Sequence, residues 1–363
     1  MSTRQGRVRA ARLTDLSALG ELSRVCQGDR PETRSLGLPV SGPPIGVFSL
    51  FRLPLGAFGP QDLLYVYEEN GRLAGFLRVE RDSQRDEWTI VELDAIGAND
   101  AGDIRFRLVQ SLIRDSARRG VVRVHVACAD TAGNIELFMQ AGFARYGEEI
   151  ILVRPPGLPL PEPWTDEAPA HGIRSTTPLD SLALARLYAA VTPLPVQRLE
   201  AYRLPDWERQ GTWRIPRSSL APILRFADVE GFVQEAPVGP GGSVGPGGSV
   251  GLGGAPAGTT LAAFLQVGVA KEDQPHYLRV IARPEVDTSP LIRFGLGVIA
   301  ARSPGSSGGH QHIHGVIAPV RTYEAPINRR LEEAGFKPVA TVSLLMKETL
   351  VRVAEPALVP VTR

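Results

Sequence analysis

Four stretches of this 363-residue chain occur twice, in the same order. An example is "LAGFLRV", which recurs as "LAAFLQV". The matching stretches begin at Val8 and Ile173, Leu73 and Leu261, Ile104 and Ile292, and Ala141 and Ala334. The spacing between partners grows along the chain and never shrinks. Ordered self-similarity of this kind indicates a duplicated structural unit, so we expect two similar domains.

Two low-complexity segments explain the changing spacing. Residues 238–260, "VGPGGSVGPGGSVGLGGAPAGTT", have almost nothing to bury, and such Gly/Pro/Ser sequences stay disordered. They fall where the first copy has Asn70–Gly71, a hairpin-turn signal. Residues 155–170 are Pro-rich and read as a linker. The predicted domains are therefore 1–154 and 171–363, the second with a hairpin insertion at about 238–260.

Both copies show the same order of elements. A short strand enters an amphipathic helix near Asp15 or Asp180, and a hairpin and a further strand follow. Next come a long helix, a strand, a short helix ending in Ala-Gly-Phe and a last strand. This order predicts an α+β (mixed α/β) fold in each copy, with a mixed central sheet flanked by helices.

Charge and composition argue against several functional classes. The net charge is +1, so we expect no general attraction to nucleic acid or to a membrane surface. No apolar run has membrane-spanning length, and the N-terminus does not resemble a secretory signal. The cysteines are Cys26 and Cys128, which fits a reducing cytoplasm and burial as small apolar side chains.

The element order, the "GRLAGFLRV" hairpin and the strand–helix–Gly-Phe–strand ending resemble the GCN5-related N-acetyltransferase (GNAT) superfamily. The resemblance implies that acetyl-CoA or another acyl-CoA lies between two splayed central strands. Its pyrophosphate would sit at the N-terminus of the long helix, on a Gln/Arg-x-x-Gly-x-Gly/Ala turn. The acceptor would be a small-molecule or peptide amine. We also expect the two copies to pack against each other, and a homodimer is possible.

The phosphate turn of the first copy departs from that pattern. It keeps Gly102 but has Asn99 and Ile104 at the outer motif positions. Glycine lets a backbone approach an anion closely, the helix dipole remains, and Arg105 can offset the repulsion from Asp103. A plain capped helix is the alternative interpretation. The cofactor-binding residues that the resemblance implies in this copy are Ile96, Asn99, Gly102, Asp103, Ile104, Arg105, Asn134 and Phe138.

The second copy departs further. Its turn runs from Asp287 through Pro290, and proline has no N–H to offer a phosphate. We therefore expect one coenzyme A per chain, in the first copy.

Acid–base groups are sparse. The tyrosine that often protonates the leaving thiolate in this family is replaced by Phe138 and Leu331, which have no proton to donate. Solvent or another residue must do so; Tyr146 and Tyr323 are candidates, with packing as the alternative.

One strand of the first copy offers carboxylates. A period of two places Glu92 and Asp94 on one face, together with Trp88, Ile90 and Ile96. A carboxylate beside the gap can deprotonate an ammonium acceptor; the alternative is that both are solvated or paired with Arg105. The repeat aligns them with Val280 and Ala282, so the second copy lacks both.

Two further features have open interpretations. His310, His312 and His314 alternate, which suits either a zinc site or an exposed polar strand edge, and we predict no metal. Residues 31–62 are a long Pro/Gly-rich loop, which is either an acceptor pocket or ordinary loop packing.

The function predicted from these features is an acyl-CoA-dependent N-acyltransferase that acts on an unknown amine by direct transfer, with its site in the N-terminal copy. The main alternative is a catalytically inactive pseudo-acetyltransferase that serves as a ligand- or protein-binding module. A scaffold that holds coenzyme A only as a structural ligand is a third.

Overall fold

The structure is a computed structural model, described here for residues 6–27, 36–40, 62–82, 85–97, 101–131, 133–161, 171–208, 218–235, 260–270, 274–302 and 315–349. It divides into two compact units. Unit 1 holds the described parts of Met1–Gly37, Pro44–Arg145 and Leu345–Arg363, and unit 2 holds those of Leu38–Pro43 and Tyr146–Leu344.

Unit 1 is a sheet covered by helices. Its elements are β1 (Arg7–Ala10), α1 (Leu16–Gln27), β2 (Asp62–Glu69), β3 (Arg72–Asp82), β4 (Glu87–Ala95), α2 (Ala101–Arg118), β5 (Arg123–Ala129) and α3 (Asn134–Gln140). The strand order is β1-β2-β3-β4-β5. The first four strands are antiparallel, and β5 runs parallel to β4.

Unit 2 begins within β6 (Ala144–Arg154) and repeats this plan. Its further elements are β7 (Ile173–Ser175), α4 (Ser181–Val191), α5 (Leu194–Glu200), α6 (Leu204–Glu208), β8 (Phe226–Glu235), β9 (Leu261–Ala270), β10 (His276–Ala282), α7 (Ser289–Arg302), β11 (Val316–Arg321), α8 (Ala325–Glu333) and β12 (Lys337–Glu348). The strand order is β7-β8-β9-β10-β11-β6. Strands β10 and β11 are parallel, and the other pairs in this order are antiparallel. The mixed α/β prediction is confirmed.

A clamp at the start of each copy shows the duplication in atomic detail. Arg9 holds Asp15 through two hydrogen bonds of 2.6 and 2.9 Å, and Asp15 accepts the backbone N–H of Arg12 at 2.6 Å. Arg174 holds Asp180 in the same way, at 2.8 and 2.7 Å. Paired charge-assisted bonds of this kind fix geometry. Here they tie the first strand of each copy to the residue directly before its first α-helix, α1 or α4.

The hairpins behave as the sequence predicts. Asn70 and Gly71 both have positive φ, as a two-residue hairpin turn requires. In unit 2, Glu235 of β8 pairs with Leu261 of β9, so the inserted segment connects the two strands of a hairpin. Residues 236–259, which include all of the insertion but its last residue, lie outside the described residues.

The last strand of each copy pairs outside its own copy. Strand β6 ends the first sequence copy, yet it pairs with β11 in unit 2, from Glu149↔Arg321 to Arg154↔Val316. The end of β12 lies in unit 1, where Thr349 N donates to Val122 O at 2.9 Å. The compact units therefore have different boundaries from the sequence copies.

None of the helices in the described ranges is long and apolar enough to span a membrane.

Candidate functional site

A β-bulge in β4 sets the direction of the acidic side chains. Val79 of β3 pairs with Ile90, but the next β3 residue, Arg78, pairs with Glu92, so Val91 is an extra residue. Bulges redirect side chains and are common beside active sites. Because Val79 and Arg78 point to opposite faces of the sheet, Ile90 and Glu92 do so too.

This corrects the single-face prediction for the strand. Trp88 and Ile90 lie on one face, and Glu92 and Asp94 share the other. Asp94 pairs with Phe76, which packs with α1 in a small apolar cluster. The two carboxylates therefore lie on the face that α1 covers. Period-two reasoning failed here because one extra residue reverses the alternation.

The carboxylates of Glu92 and Asp94 are largely buried, and they lie close to an arginine and a cysteine thiol. Glu92 Oε2 is 3.3 Å from Arg78 Nη1, an ion pair in which both side chains are mostly shielded from solvent. Asp94 is 6% exposed. On α1, burial and then the charges of Asp94 and Glu92 raise the pKa of the Cys26 thiol to about 12. That thiol stays protonated at neutral pH and is a poor nucleophile.

Strands β4 and β5 separate directly beyond this point. Their parallel register runs from Glu87↔Arg123 to Ile90↔Val126, while the strands themselves continue to Ala95 and Ala129. The carboxylates thus lie on the part of β4 beyond its register with β5.

Arg105 of α2 is buried at this separation. Its Nη1 donates to Asn134 Oδ1 at 2.9 Å. Burial lowers the pKa of Arg105, and the acidic groups of Asp94 on β4 and Cys128 on β5 oppose that shift. The guanidinium therefore lies near the ends of both strands, instead of facing outward as a surface cation for phosphate.

Asn134 and Phe138 are buried on α3. Asn134 Nδ2 donates to Ala129 O at 3.3 Å, which ties the first residue of α3 to the end of β5. Phe138 is fully buried and makes an edge-to-face contact with Phe143. Its position is apolar, as the sequence indicated.

The N-terminus of α2 is open beside Gly102. Gly102 is the second helical residue, has no left-handed backbone, and has empty space where a Cβ would lie. The lack of a side chain at Gly102 therefore lets a ligand approach the backbone closely, and its backbone dihedral angles do not require glycine. Asp103 is paired with Arg107 at 2.7 Å, which reduces its repulsion of an anion.

Three predicted cofactor residues remain, and the structure describes two of them. Ile104 is buried next to Gly75. Ile96 follows β4 and is 41% exposed, and its backbone N–H donates to Ala74 O at 2.9 Å. Asn99 lies outside the described residues.

The corresponding strand of unit 2 is regular. Gln266 pairs with Arg279, and Phe264 pairs with Ile281, without a bulge. Because Gln266 and Phe264 match Arg78 and Phe76 in the repeat, Arg279 and Ile281 occupy the carboxylate positions. This corrects the alignment with Val280 and Ala282, which is one residue out because the bulge adds a residue to β4.

A buried ion pair crosses between β10 and the turn after β11. Arg279 donates to both carboxylate oxygens of Glu324, at 2.7 and 2.8 Å. Glu324 also accepts the backbone N–H of Arg321 at 2.9 Å. Arg279 and Arg321 are each 2% exposed. Arg279 lies beyond the register of β10 with β11, which ends at Tyr277↔Ile317, just as Glu92 lies beyond the register of β4 with β5.

A second part of the network surrounds Arg321. Its Nη2 is 2.6 Å from Glu200 Oε1 on α5, and its Nε is 3.1 Å from Glu149 Oε1 on β6. Tyr188 donates to Glu200 at 2.6 Å. Sequence reasoning missed this network; its signal was a lone arginine in each of the apolar strands "HYLRVIA" and "VIAPVR".

The N-terminus of α7 is already capped. The carboxylate of Asp287 accepts Ser289 N–H at 3.1 Å and Ser289 Oγ–H at 2.8 Å, and Pro290 follows. Hydrogen bonds from Ser289 lower the pKa of Asp287, so an anion from the chain itself occupies this helix end.

Other candidate sites add little. An open cleft of about 460 Å³ lies between β1 and α2, and neither Glu92 nor Asp94 lines it. Its Arg107 pairs with Asp103, and its Arg114 bonds to a carbonyl of its own helix. No cluster suited to a metal ion occurs within the described ranges. His310, His312 and His314, and most of loop 31–62, lie outside them.

No protein-family model matches the chain, and no curated protein matches it by sequence. Among solved structures, it is similar to a tandem GNAT protein from the clavulanic acid biosynthesis pathway, at 12% identity and a TM-score of 0.52, over 95% of this chain and 98% of that one. It is also similar to a GCN5-related N-acetyltransferase from Sphaerobacter thermophilus, at 16% identity and a TM-score of 0.52, over 96% and 98%. The chain therefore has the tandem GNAT fold.

Proposed function

We propose that the protein is an acyl-CoA-dependent N-acyltransferase whose working site is in the N-terminal copy, with acetyl-CoA the donor we would test first. The observation that carries the proposal is the β4 bulge, which sets Glu92 and Asp94 on one face of the strand just beyond its register with β5. The acceptor is a small-molecule or peptide amine.

Glu92 is the proposed base. Its carboxylate accepts a proton from the ammonium group of the acceptor, which frees the nitrogen lone pair for attack. Asp94 adds a second negative charge on the same face and attracts the cationic acceptor. With its pKa near 12, Cys26 takes no part as a nucleophile, which favours direct transfer over a cysteinyl intermediate.

Acyl-CoA, when bound, supplies an activated acyl group as a thioester. The residues that would hold it are the first backbone amides of α2, including that of Gly102, together with Arg105 and Asn134 at the separation of β4 and β5. The open space beside Gly102 fits this role. Phe138 has no proton to donate, so a leaving thiolate would have to be protonated by solvent or by another residue.

Three features of the second copy support placing the site in the first. Pro290 lacks an N–H, Asp287 caps α7, and the Arg279–Glu324 pair lies where a cofactor would enter. A ligand would have to break a buried ion pair and displace a carboxylate. We therefore expect one coenzyme A per chain.

A pseudo-acetyltransferase remains the second candidate. The observation that favours it is the burial of Arg105, whose guanidinium bonds to Asn134 in the same separation of strands that the cofactor would use.

Glu92→Gln tests the proposed base. Thiol release from acetyl-CoA, measured with a panel of primary amines, should fall by roughly 10²–10⁴-fold at neutral pH, because a general base contributes about that much. Calorimetric binding of acetyl-CoA should be unchanged, and Asp94→Asn is the matched control for charge on the same face. Wild-type turnover in Glu92→Gln would remove Glu92 as the base. No binding of acetyl-CoA at millimolar concentration would leave the pseudo-acetyltransferase.

A further inference from the structure

Arg78 is a buried charge on β3, directly after the run "LAGFL". Its guanidinium, on β3, is 3.3 Å from the Glu92 carboxylate and 6% of the residue is exposed. A buried charge is costly unless it is paired. We propose that Arg78 is a positioning residue, which holds Glu92 on the α1 face and keeps it ionised to accept a proton. This inference rests on the proposed function of Glu92.

The register explains why Glu92 needs such a partner. Arg78 and Glu92 are direct cross-strand partners immediately beside the bulge, and such partners point to the same face. A bulge disrupts the local hydrogen-bond ladder, so the backbone restrains the carboxylate less than in a regular strand. An ion pair to the neighbouring strand fixes its side chain instead.

The second copy offers an internal comparison. Gln266 stands in the place of Arg78, and Arg279 stands in the place of Glu92. Both members of the pair have changed together. In the first copy, an arginine on the third strand lies opposite a carboxylate. In the second copy, which has no carboxylate there, a neutral amide replaces that arginine.

The charges around Glu92 make the effect of Arg78 predictable. Asp94 shares its strand and face, the buried Glu80 lies two residues from Arg78 on the same face of β3, and the protonated thiol of Cys26 lies nearby on α1. Arg105 of α2 lies beside Asp94. Asp94 disfavours the ionised form of Glu92, whereas Arg78 favours it. Removing Arg78 therefore makes Glu92 easier to protonate.

Arg78→Gln is the test, because glutamine occupies the matching position, Gln266, in the second copy. The acidic limb of kcat/KM for acetyl-CoA-dependent thiol release should move up by about 1 pH unit, the low end of the effect of an adjacent opposite charge. Arg81→Gln is the matched control: it lies on the same strand, and its odd spacing from Arg78 turns it to the other face. It should leave the limb in place.

Arg78→Lys is a second variant, which tests the proposal even if Arg78→Gln does not fold. It keeps the charge but loses the planar fork, so kcat should fall several-fold while the limb stays close to its wild-type position. An unmoved limb in Arg78→Gln, an equal shift in Arg81→Gln, or wild-type kcat in Arg78→Lys would each overturn the role of Arg78. The proposed function fails separately, if Glu92→Gln keeps its turnover.

Discussion

Among single residues, Arg279 stands out because it puts a positive charge where the other copy has an acid. Breaking its bidentate pair with Glu324 removes the positive charge that balances a buried carboxylate, which keeps the backbone N–H of Arg321. Arg279→Met should therefore lower the free energy of unfolding by about 3–5 kcal/mol. The double variant Arg279→Met, Glu324→Leu should recover most of that loss, since apolar pairs of similar size replace buried ion pairs at little cost.

Urea denaturation of the three proteins, followed by circular dichroism, measures these differences. Arg329→Met, which breaks an exposed pair with Glu333 on α8, is the control and should change stability by less than about 1 kcal/mol. A double variant as unstable as Arg279→Met would show that the pair itself stabilises the unit. A stable Arg279→Met would show that Glu324 is solvated.

Helix α2 carries the next prediction, through its second residue. The first amides of a helix have no partner within it, so Gly102→Pro removes a donor that a phosphate would use while proline is tolerated in the first helical turn. We expect calorimetric affinity for acetyl-CoA to fall at least tenfold. Gly102→Ala keeps the N–H but puts a methyl group in the open space that a ligand would approach, so it should bind more weakly than the wild type and more tightly than Gly102→Pro. Equal affinity in both variants would place the pyrophosphate elsewhere.

Strand β4 shows how far sequence reasoning reaches at the level of elements. The hairpin turn, the order of elements along the chain and the duplication were predictable, because turn glycines, apolar periodicity and repeated stretches can be read from the sequence itself. The bulge was not, because Val91 is as apolar as its neighbours and leaves no turn signal. Because the bulge was not predicted, sequence reasoning placed Ile90 and Glu92 on one face of the strand. It also aligned Glu92 with the wrong residue of the second copy and so overlooked Arg279.

At the scale of the whole molecule, the last strand of each sequence copy pairs outside that copy, as β6 and β12 show. In unit 2, Glu149 of β6 contacts Arg321, and in unit 1, Thr349 after β12 bonds to Val122. Sequence periodicity could not reveal this, since either last strand offers an apolar face and unpaired backbone groups to either edge. An N-terminal fragment would lack the end of β12, which lies beside β5 in unit 1. An unpaired strand edge invites aggregation.

We therefore expect neither half of the chain to fold well alone. Fragment 1–161, expressed by itself, should lack a cooperative thermal transition or be recovered largely in aggregates. Expressed together with fragment 162–363, only one of them tagged, it should copurify in equal amounts and melt near the temperature of the intact chain. The chain with a protease site placed within 162–170 is the control, because cleavage there after folding should leave both pieces together. A soluble 1–161 that melts cooperatively and does not copurify would show that each copy keeps its own last strand.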